Sequence, residues 1–332
     1  MSGDAATLAF AELHPDDILT TLGELGFDCD GRFLALNSYE NRVYQVGIEE
    51  DKPIVAKFYR PGRWSDAAIL EEHDFATDLA EQEIPVVPPL EHEGETLHHS
   101  GHFRLAVYPC HGGRAPDLDN YELQTQLGRL VARIHLEGET SRFRHRPRID
   151  IESYGVESVE YLLDSDFVPE DIHEAYESTA EMVLDGVEAC FERAGSFREL
   201  RLHGDFHPGN VLVDRDRLHI VDLDDTRHGP AVQDLWMFLS GDREEQTPQL
   251  KALLEGYQSF RRFDARELHL IEALRSLRIM HYAAWLARRW DDPAFKVAFP
   301  WFDSRRYWDE HVLALREQVA LMQEAPLEWN DF

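Results

Sequence analysis

Lysine is nearly missing from this chain. Of its 332 residues only Lys52, Lys57, Lys251 and Lys296 carry an ε-amine, and arginine supplies the rest of the 33 basic side chains. Against them stand 64 acidic residues, a net charge of −31, which argues against tracking a nucleic-acid backbone or adhering to an anionic lipid surface. The composition reads as a salt-adapted surface. Cysteine is sparse too. Cys29, Cys110 and Cys190 are odd in number and far apart, with no CxxC spacing, so neither a disulfide framework nor a thiolate zinc site is indicated. No apolar run approaches the length needed to span a bilayer, and no basic stretch leading into an apolar one opens MSGDAATLAFAELHPDD. Both observations predict a cytoplasmic protein. Internal repeats and low-complexity segments are also missing.

What is there is 43% hydrophobic content, enough for a full core and, at this length, for two domains or one large one. The first third is strand-rich: RVYQVGI and PIVAKFYR flank the turn-like EEDK and predict a hairpin. After PGRW, Ile69, Glu72, His73, Ala76, Leu79 and Ala80 recur at helical spacing on one face, and the prolines of IPVVPPL end that helix. GHFRLAVYP returns to strand. CHGGRAPD is suited to a linker, which puts the domain boundary near Tyr108 and Cys110, giving 1–108 and 109–332. Helical periodicity then marks LQTQLGRLVARIH, AYESTAEMVLDGVEACFERA, IEALRSLRIMHYAAWLARRW and YWDEHVLALREQVALMQ. Among them sits the island RLHGDFHPGNVLVDRDRLHIVDLDD, a short hairpin around DRDR.

LHGDFHPGNVL, at the head of that island, packs His203, Asp205, His207 and Asn210 between two apolar runs. Turn chemistry alone explains Asp, Asn, Pro and Gly there. A metal cage is a rival: on an extended segment His203, Asp205 and His207 point to one side, and Asp222 could complete a zinc or di-iron site for hydrolysis. The remaining histidines are scattered and supply no second paired motif. Phosphoryl transfer uses more of the chain. It needs a carboxylate to orient the attacking hydroxyl, and an amide oxygen with another carboxylate to hold magnesium against phosphates. Asp205, Asn210 and Asp222 supply these in that order, and hard oxygen ligands favour magnesium over zinc. A cation for the phosphates is also required. Lys57 in IVAKFYR is the candidate, unless its ammonium merely snorkels to water. Glu72 is its expected partner, because a carboxylate on an apolar helix face is costly unless paired; Glu71 is the second choice.

HGDFHPGN followed by VDLDD resembles the catalytic loop and metal-binding segment of the aminoglycoside phosphotransferase and choline kinase group. Further, LNSYENRVYQV, VAKFYRPGRW, ILEEHDFA, VDLDDTRHGPAVQDLWM and DPAF with FPWF resemble the bacterial stress response kinase A family of cytoplasmic serine/threonine protein kinases. The matches run from about Leu36 to about Trp301. The resemblance implies an α+β, two-lobed protein-kinase-like fold, with a small β-rich N-terminal lobe and a larger, mainly helical C-terminal lobe. It implies Asp205 as catalytic proton acceptor, Asn210 and Asp222 as magnesium ligands with Asp222 also catalytic, Ser38 in the ATP-binding turn, and Lys57 on the α and β phosphates. Asp234 in GPAVQDLW would brace the catalytic loop, with His203 buried near it.

Three departures from familiar protein kinases stand out. NSYEN lacks the GxGxxG glycines, so side chains such as Ser38 and Asn41 must assist the backbone amides. HGD replaces HRD, removing the arginine that pairs with a phosphorylated activation loop, and only DDTRH separates Leu223 from Gly229, too short for such a loop. DLD replaces DFG, which puts Asp224 near the metals. The basic run SRFRHRPR, 141–148, reads as a solvated loop or as a contact for an acidic peptide. The aromatic residues of HYAAWLARRW and FPWF read as core packing or as a substrate pocket.

The expected protein is a monomeric kinase that uses ATP and Mg²⁺ to phosphorylate a protein serine or threonine. A small-molecule hydroxyl kinase acting on choline-, homoserine- or aminoglycoside-like acceptors is the alternative. A metallohydrolase and a non-catalytic nucleotide-binding regulator are more distant ones.

Overall fold

The fold is described from a computed structural model covering residues 9–36, 38–215 and 217–329. Residues 1–8, Asn37 of the NSYEN turn and Asp216 of the DRDR turn lie outside the described residues. Contacts divide the chain into two compact units. One comprises residues up to 116 with 144–146 and 209–224, and the other comprises 117–143, 147–208 and 225 onward.

The first unit is built on a five-stranded antiparallel sheet of β1 (Cys29–Ala35), β2 (Arg42–Ile48), β3 (Ile54–Tyr59), β4 (His98–Ser100) and β5 (Phe103–Pro109), in the order β1-β2-β3-β5-β4. Alternation along β3 sorts its side chains. Ile54, Ala56 and Phe58 join Val46, Leu105 and Val107 in a core closed by Ile18 and Leu22 of helix α1 (Pro15–Glu24). Lys57 and Tyr59 take the opposite face, where Tyr59 packs with Ile69 of helix α2 (Asp66–Glu81). Ser65 caps α2 by accepting the Ala68 amide at 3.2 Å. The buried face of α2 carries Ile69, Glu72, His73, Ala76 and Leu79, as the apolar spacing predicts. The hairpin β7 (Val211–Asp214) and β8 (Arg217–Ile220) belongs to this unit, through a bridge from Ile220 to Val86. So does the segment read as a linker, since Arg114 exchanges both backbone hydrogen bonds with Val213, at 3.1 and 2.8 Å.

The second unit is helical: α3 (Tyr121–Gly138), a π-helical turn at Glu152–Val156 leading into α4 (Glu157–Leu163), α5 (His173–Ala194), α6 (Gln233–Trp236), α7 (Arg243–Tyr257), α8 (Ile271–Arg288), α9 (Pro293–Ala298) and α10 (Arg305–Leu321). A two-stranded sheet, β6 (Leu200–Leu202) with β9 (Arg227–Gly229), brackets the HGDFHPGN sequence. α3 and α7 approach so closely that a Cβ at Gly128 would collide with the Leu253 carbonyl. The aromatic residues near the C-terminus pack on one another, with Trp285 to Phe295 at 5.0 Å, Phe295 to Phe299 at 5.7 Å and Phe302 to Trp308 at 5.6 Å. Core packing therefore accounts for most of them. No described helix is long and apolar enough to cross a membrane.

Candidate active site

The first unit encloses a cavity of about 400 Å³. Its apolar wall includes Leu36, Val43, Val55, Ala76, Val87 and Leu212, and Ser38, Lys57, Glu72, Asn210 and Asp222 supply its polar end. This is the composition of a site for a flat apolar group joined to a charged one.

Lys57 does not snorkel. It is 5% exposed, and its Nζ lies 3.2 Å from Glu72, 3.0 Å from Asp224 and 3.3 Å from Asp222. Burial pushes the ammonium toward losing its proton, but the carboxylates of Asp224, Glu72 and Asp222 outweigh that and hold its pKa well above the ordinary value. Tyr59 lies beneath, its ring 4.8 Å from the ammonium, and its hydroxyl bonds to His73 Nε2 at 2.8 Å and to the Tyr108 hydroxyl at 3.0 Å. Burial, with the Lys57 and Arg146 charges, drives the His73 pKa down to about 3, so that ring is neutral.

Sequence reading missed the second cation of this cluster. Arg146 donates to Glu72 Oε2 at 2.7 Å, to the Ala68 carbonyl at 2.7 Å and to the Asp224 carbonyl at 2.5 Å, with its side chain fully buried. The run 141–148 is therefore not a wholly solvated loop, nor is all of its charge available to a partner. Phe143 and Arg146 turn inward while their neighbours stay exposed. The only sequence signal was this three-residue recurrence, too short to separate from chance. Glu71 does not pair with Lys57. Its carboxylate accepts the backbone amides of Arg144, His145 and Arg146 at 2.6, 2.9 and 3.0 Å, fixing the segment that delivers Arg146.

Asp224 is 3% exposed and is engaged by Lys57 and by Arg63, so it anchors cations and does not face open space. Asn41 is also buried. Its Oδ1 accepts the Arg60 amide at 3.1 Å, and it is not part of the cavity wall, whereas Ser38 is. Asp222 is 53% exposed at its side chain and has a left-handed backbone, φ 62°. That is an uncommon conformation for a non-glycine residue, held here at the cavity. The Asn210 carbonyl accepts the Val221 amide at 3.0 Å, tying the strand ends that carry Asn210 and Asp222.

In the second unit Asp205 Oδ1 accepts Arg278 Nη1 at 2.6 Å, and His207 Nε2 lies 3.5 Å from Oδ2. Burial works to raise the Asp205 pKa, but the His207 hydrogen bond and the Arg278 charge outweigh it and leave the pKa below the usual carboxylate range. The loop holding Asp205 is pinned by Asp234. Its Oδ2 accepts the His203 amide and its Oδ1 the Gly204 amide, both at 2.9 Å, and the fully buried His135 bonds to it at 3.2 Å. His203 is buried against Phe206, with ring centroids 4.9 Å apart. Gly204 has φ 84°, and any Cβ there would strike the Asp225 carbonyl; an arginine, as in HRD, does not fit this backbone. Beside Asp205 are Tyr154, stacked on His281 at 4.3 Å, and Arg227, paired with Asp225 at 2.6 Å.

The zinc or di-iron cage finds no support in this geometry. Among the described residues no group of three or more His, Cys, Asp or Glu side chains is placed to hold a metal ion. A magnesium ion held largely by phosphate oxygens and water needs only one or two protein ligands. Asn210 and the outward-facing Asp222, both oxygen donors on the cavity wall, fit that requirement.

Residues 32–271 match the model of the phosphotransferase enzyme family. The chain is 43% identical to stress response kinase A of Escherichia coli (strain K12), over 97% of this chain and 98% of that one. It is 42% identical to the serine/threonine protein kinase RdoA of Salmonella typhimurium (strain LT2), over 96% of each. Among solved structures it resembles the amicoumacin kinase hAmiN in complex with AMP-PNP, Ca²⁺ and Ami, with a TM-score of 0.73 at 19% identity over 97% of both chains. A microcompartment-associated aminopropanol kinase matches with a TM-score of 0.69 at 18% identity, over 92% of this chain and 96% of that one. From that end-to-end likeness it follows that the chain belongs to the phosphotransferase enzyme family, as a kinase of its stress response kinase A branch.

Proposed function

We propose that this kinase transfers the γ-phosphoryl group of ATP to a serine or threonine hydroxyl of a protein. The observation that carries the nucleotide half is Lys57, an ammonium buried among three carboxylates at the charged end of an otherwise apolar cavity. The adenine lies along Val43, Val55, Ala76 and Leu212, and the phosphates reach Lys57. Lys57 holds the α and β phosphates, Glu72 and Arg146 keep it in place, and Ser38 helps to cover the phosphates. Asn210 and Asp222 hold magnesium, which offsets the charge of the phosphate oxygens. Asp205 orients the acceptor hydroxyl and takes its proton as the new O–P bond forms and the bond to the β-phosphate oxygen breaks; the electron pair leaves with ADP.

The preference for a protein hydroxyl rests on the RdoA name of a full-length relative and on the charges around Asp205. Both carboxylates there are compensated, Asp205 by Arg278 and Asp225 by Arg227. A cationic acceptor such as an aminoalcohol or aminoglycoside would meet two carboxylates that arginines already engage. The test is incubation with γ-labelled ATP, magnesium, a generic protein substrate and a panel of small alcohols. Label on protein serine or threonine is expected in the wild type and is lost by roughly 10² to 10⁴ in rate in Asp205→Ala. Label confined to a small alcohol would replace the protein acceptor with a metabolite.

A further inference from the structure

The second unit holds another cavity, of about 430 Å³, lined from α5, α7, α8, α10 and the segment that follows α10. Three arginines from three helices reach it: Arg193, Arg243 and Arg275. Two of them fasten its walls. Arg193 donates to the Met322 carbonyl at 2.7 Å, and Arg243 donates to the Pro326 carbonyl and lies 3.8 Å from Glu324. Asp242, the remaining acid near Arg243, is occupied in capping α7 through the Glu244 and Glu245 amides.

Arg275 is different. Its Nε donates to Glu272 at 3.1 Å and its guanidinium lies over the Trp236 ring at 4.9 Å, but its Nη2 is buried and has no hydrogen-bond partner among the described residues. A buried donor of a charged group left without an acceptor is costly and rare in a folded protein. The wall also carries Gln246, His269, Gln318 and the carboxylates of Glu272 and Glu324, which Arg275 and Arg243 engage, beside an apolar part made by Leu268, Ile271, Leu321, Met322 and Leu327.

We propose that this cavity is an effector site for a small organic anion, a carboxylate or phosphate monoester with an apolar body. Its charged head accepts from the partly exposed Arg275 guanidinium, whose Nη2 turns from its buried position toward the cavity as the anion binds, and its body lies on Leu268, Leu321 and Leu327. Two short routes lead from Arg275 to the loop bearing Asp205. Trp236, beneath Arg275, donates to Gln233 at 3.1 Å, and Gln233 donates to the Gly204 carbonyl at 2.9 Å. Arg278, one turn along α8 from Arg275, bonds directly to Asp205 at 2.6 Å. An occupant that draws Arg275 toward the cavity thus acts on the residue before Asp205 and on the arginine that holds it. This regulatory part rests on the proposed role of Asp205; binding does not.

Calorimetry of the full chain with benzoate, phenyl phosphate, inorganic phosphate and the neutral benzyl alcohol tests the site. Saturable binding of benzoate or phenyl phosphate is expected, weakened at least about tenfold in Arg275→Met, with benzyl alcohol and inorganic phosphate weaker than the organic anions. Which of the two anions binds better separates a carboxylate from a phosphate source. Leu321→Trp, a change at a half-exposed rim position, should block the cavity without touching a charge, and Asp205→Asn should leave binding intact. No saturable binding by either organic anion, or binding indifferent to both Arg275→Met and Leu321→Trp, would overturn the proposal. The effector role is read separately, as a change in phosphotransfer rate on adding the tighter-binding probe. That change should be present in the wild type and absent in Arg275→Met, and an unchanged wild-type rate at saturation would overturn it.

Discussion

Lys57 and Glu72 form one device with Arg146, since each carboxylate oxygen of Glu72 serves a different cation. Removing one partner of a buried ion pair strands the other charge, at a cost of roughly 3–5 kcal/mol. Lys57→Ala and Glu72→Ala should each lower the phosphotransfer rate at least about tenfold, and the double variant should be hardly worse than either. Near-additive losses in that cycle would mean that Lys57 and Glu72 act separately. Arg146→Met, at a position outside the wall of the Lys57 cavity, should reduce activity through Glu72 in the same cycle. The Lys57–Glu72 pairing was legible because helical spacing put Glu72 on an apolar face, where a carboxylate demands a partner. Arg146 was not, because its run reads as surface charge and its position is set by Glu71 gripping backbone amides that have no sequence signature. At Asp205 the Arg278 charge favours the ionised carboxylate. Arg278→Met should therefore raise the Asp205 pKa and move the acid limb of the kcat/KM profile upward in pH. A limb that stays in place would assign it to another group.

At the scale of elements, the turn between β6 and β9 is fixed by backbone demands as much as by chemistry. Gly204 occupies a left-handed conformation against the Asp225 carbonyl, so Gly204→Arg, which restores the HRD pattern, should lower thermal stability by several kcal/mol; denaturation midpoints measure it. Motif spacing revealed this loop but not its scaffolding, because His135 and Tyr257, which hydrogen-bond behind Asp234, come from helices more than twenty residues away at the nearest. Another support lies ahead of α6. Glu267 accepts the Val232 amide at 2.9 Å and is 1% exposed. Burial pushes its pKa up to about 7, so from the ordinary carboxylate range up to that pH the folded state keeps a proton the unfolded state has lost. Stability should fall as pH rises through this window, by an amount on the order of a few kcal/mol, and level off above it. Glu267→Gln keeps an acceptor for the amide and should abolish that slope in denaturation curves taken across the range.

For the whole molecule, the surplus of 31 negative charges opposes compaction at low ionic strength. The thermal midpoint should rise as sodium chloride increases toward about 1 M, where the screening length falls to about 3 Å. A midpoint indifferent to salt would leave the acidic composition without a role in stability. The two-part organisation was legible from the shift between strand-rich and helical segments, but the path of the chain was not. It passes between the two units after residues 116, 143, 146, 208 and 224, and the first unit takes Arg146, Asn210, Asp222 and Asp224 from its two later visits. The consequence is for recombination. A chimera joined once, near residue 116, would pair one parent's Lys57 and Glu72 with the other parent's Arg146 and Asp222. Related genes should therefore exchange this half of the enzyme only as three separate segments inherited together, and a library of single-crossover hybrids should be depleted in active members wherever the parents differ at those contacts.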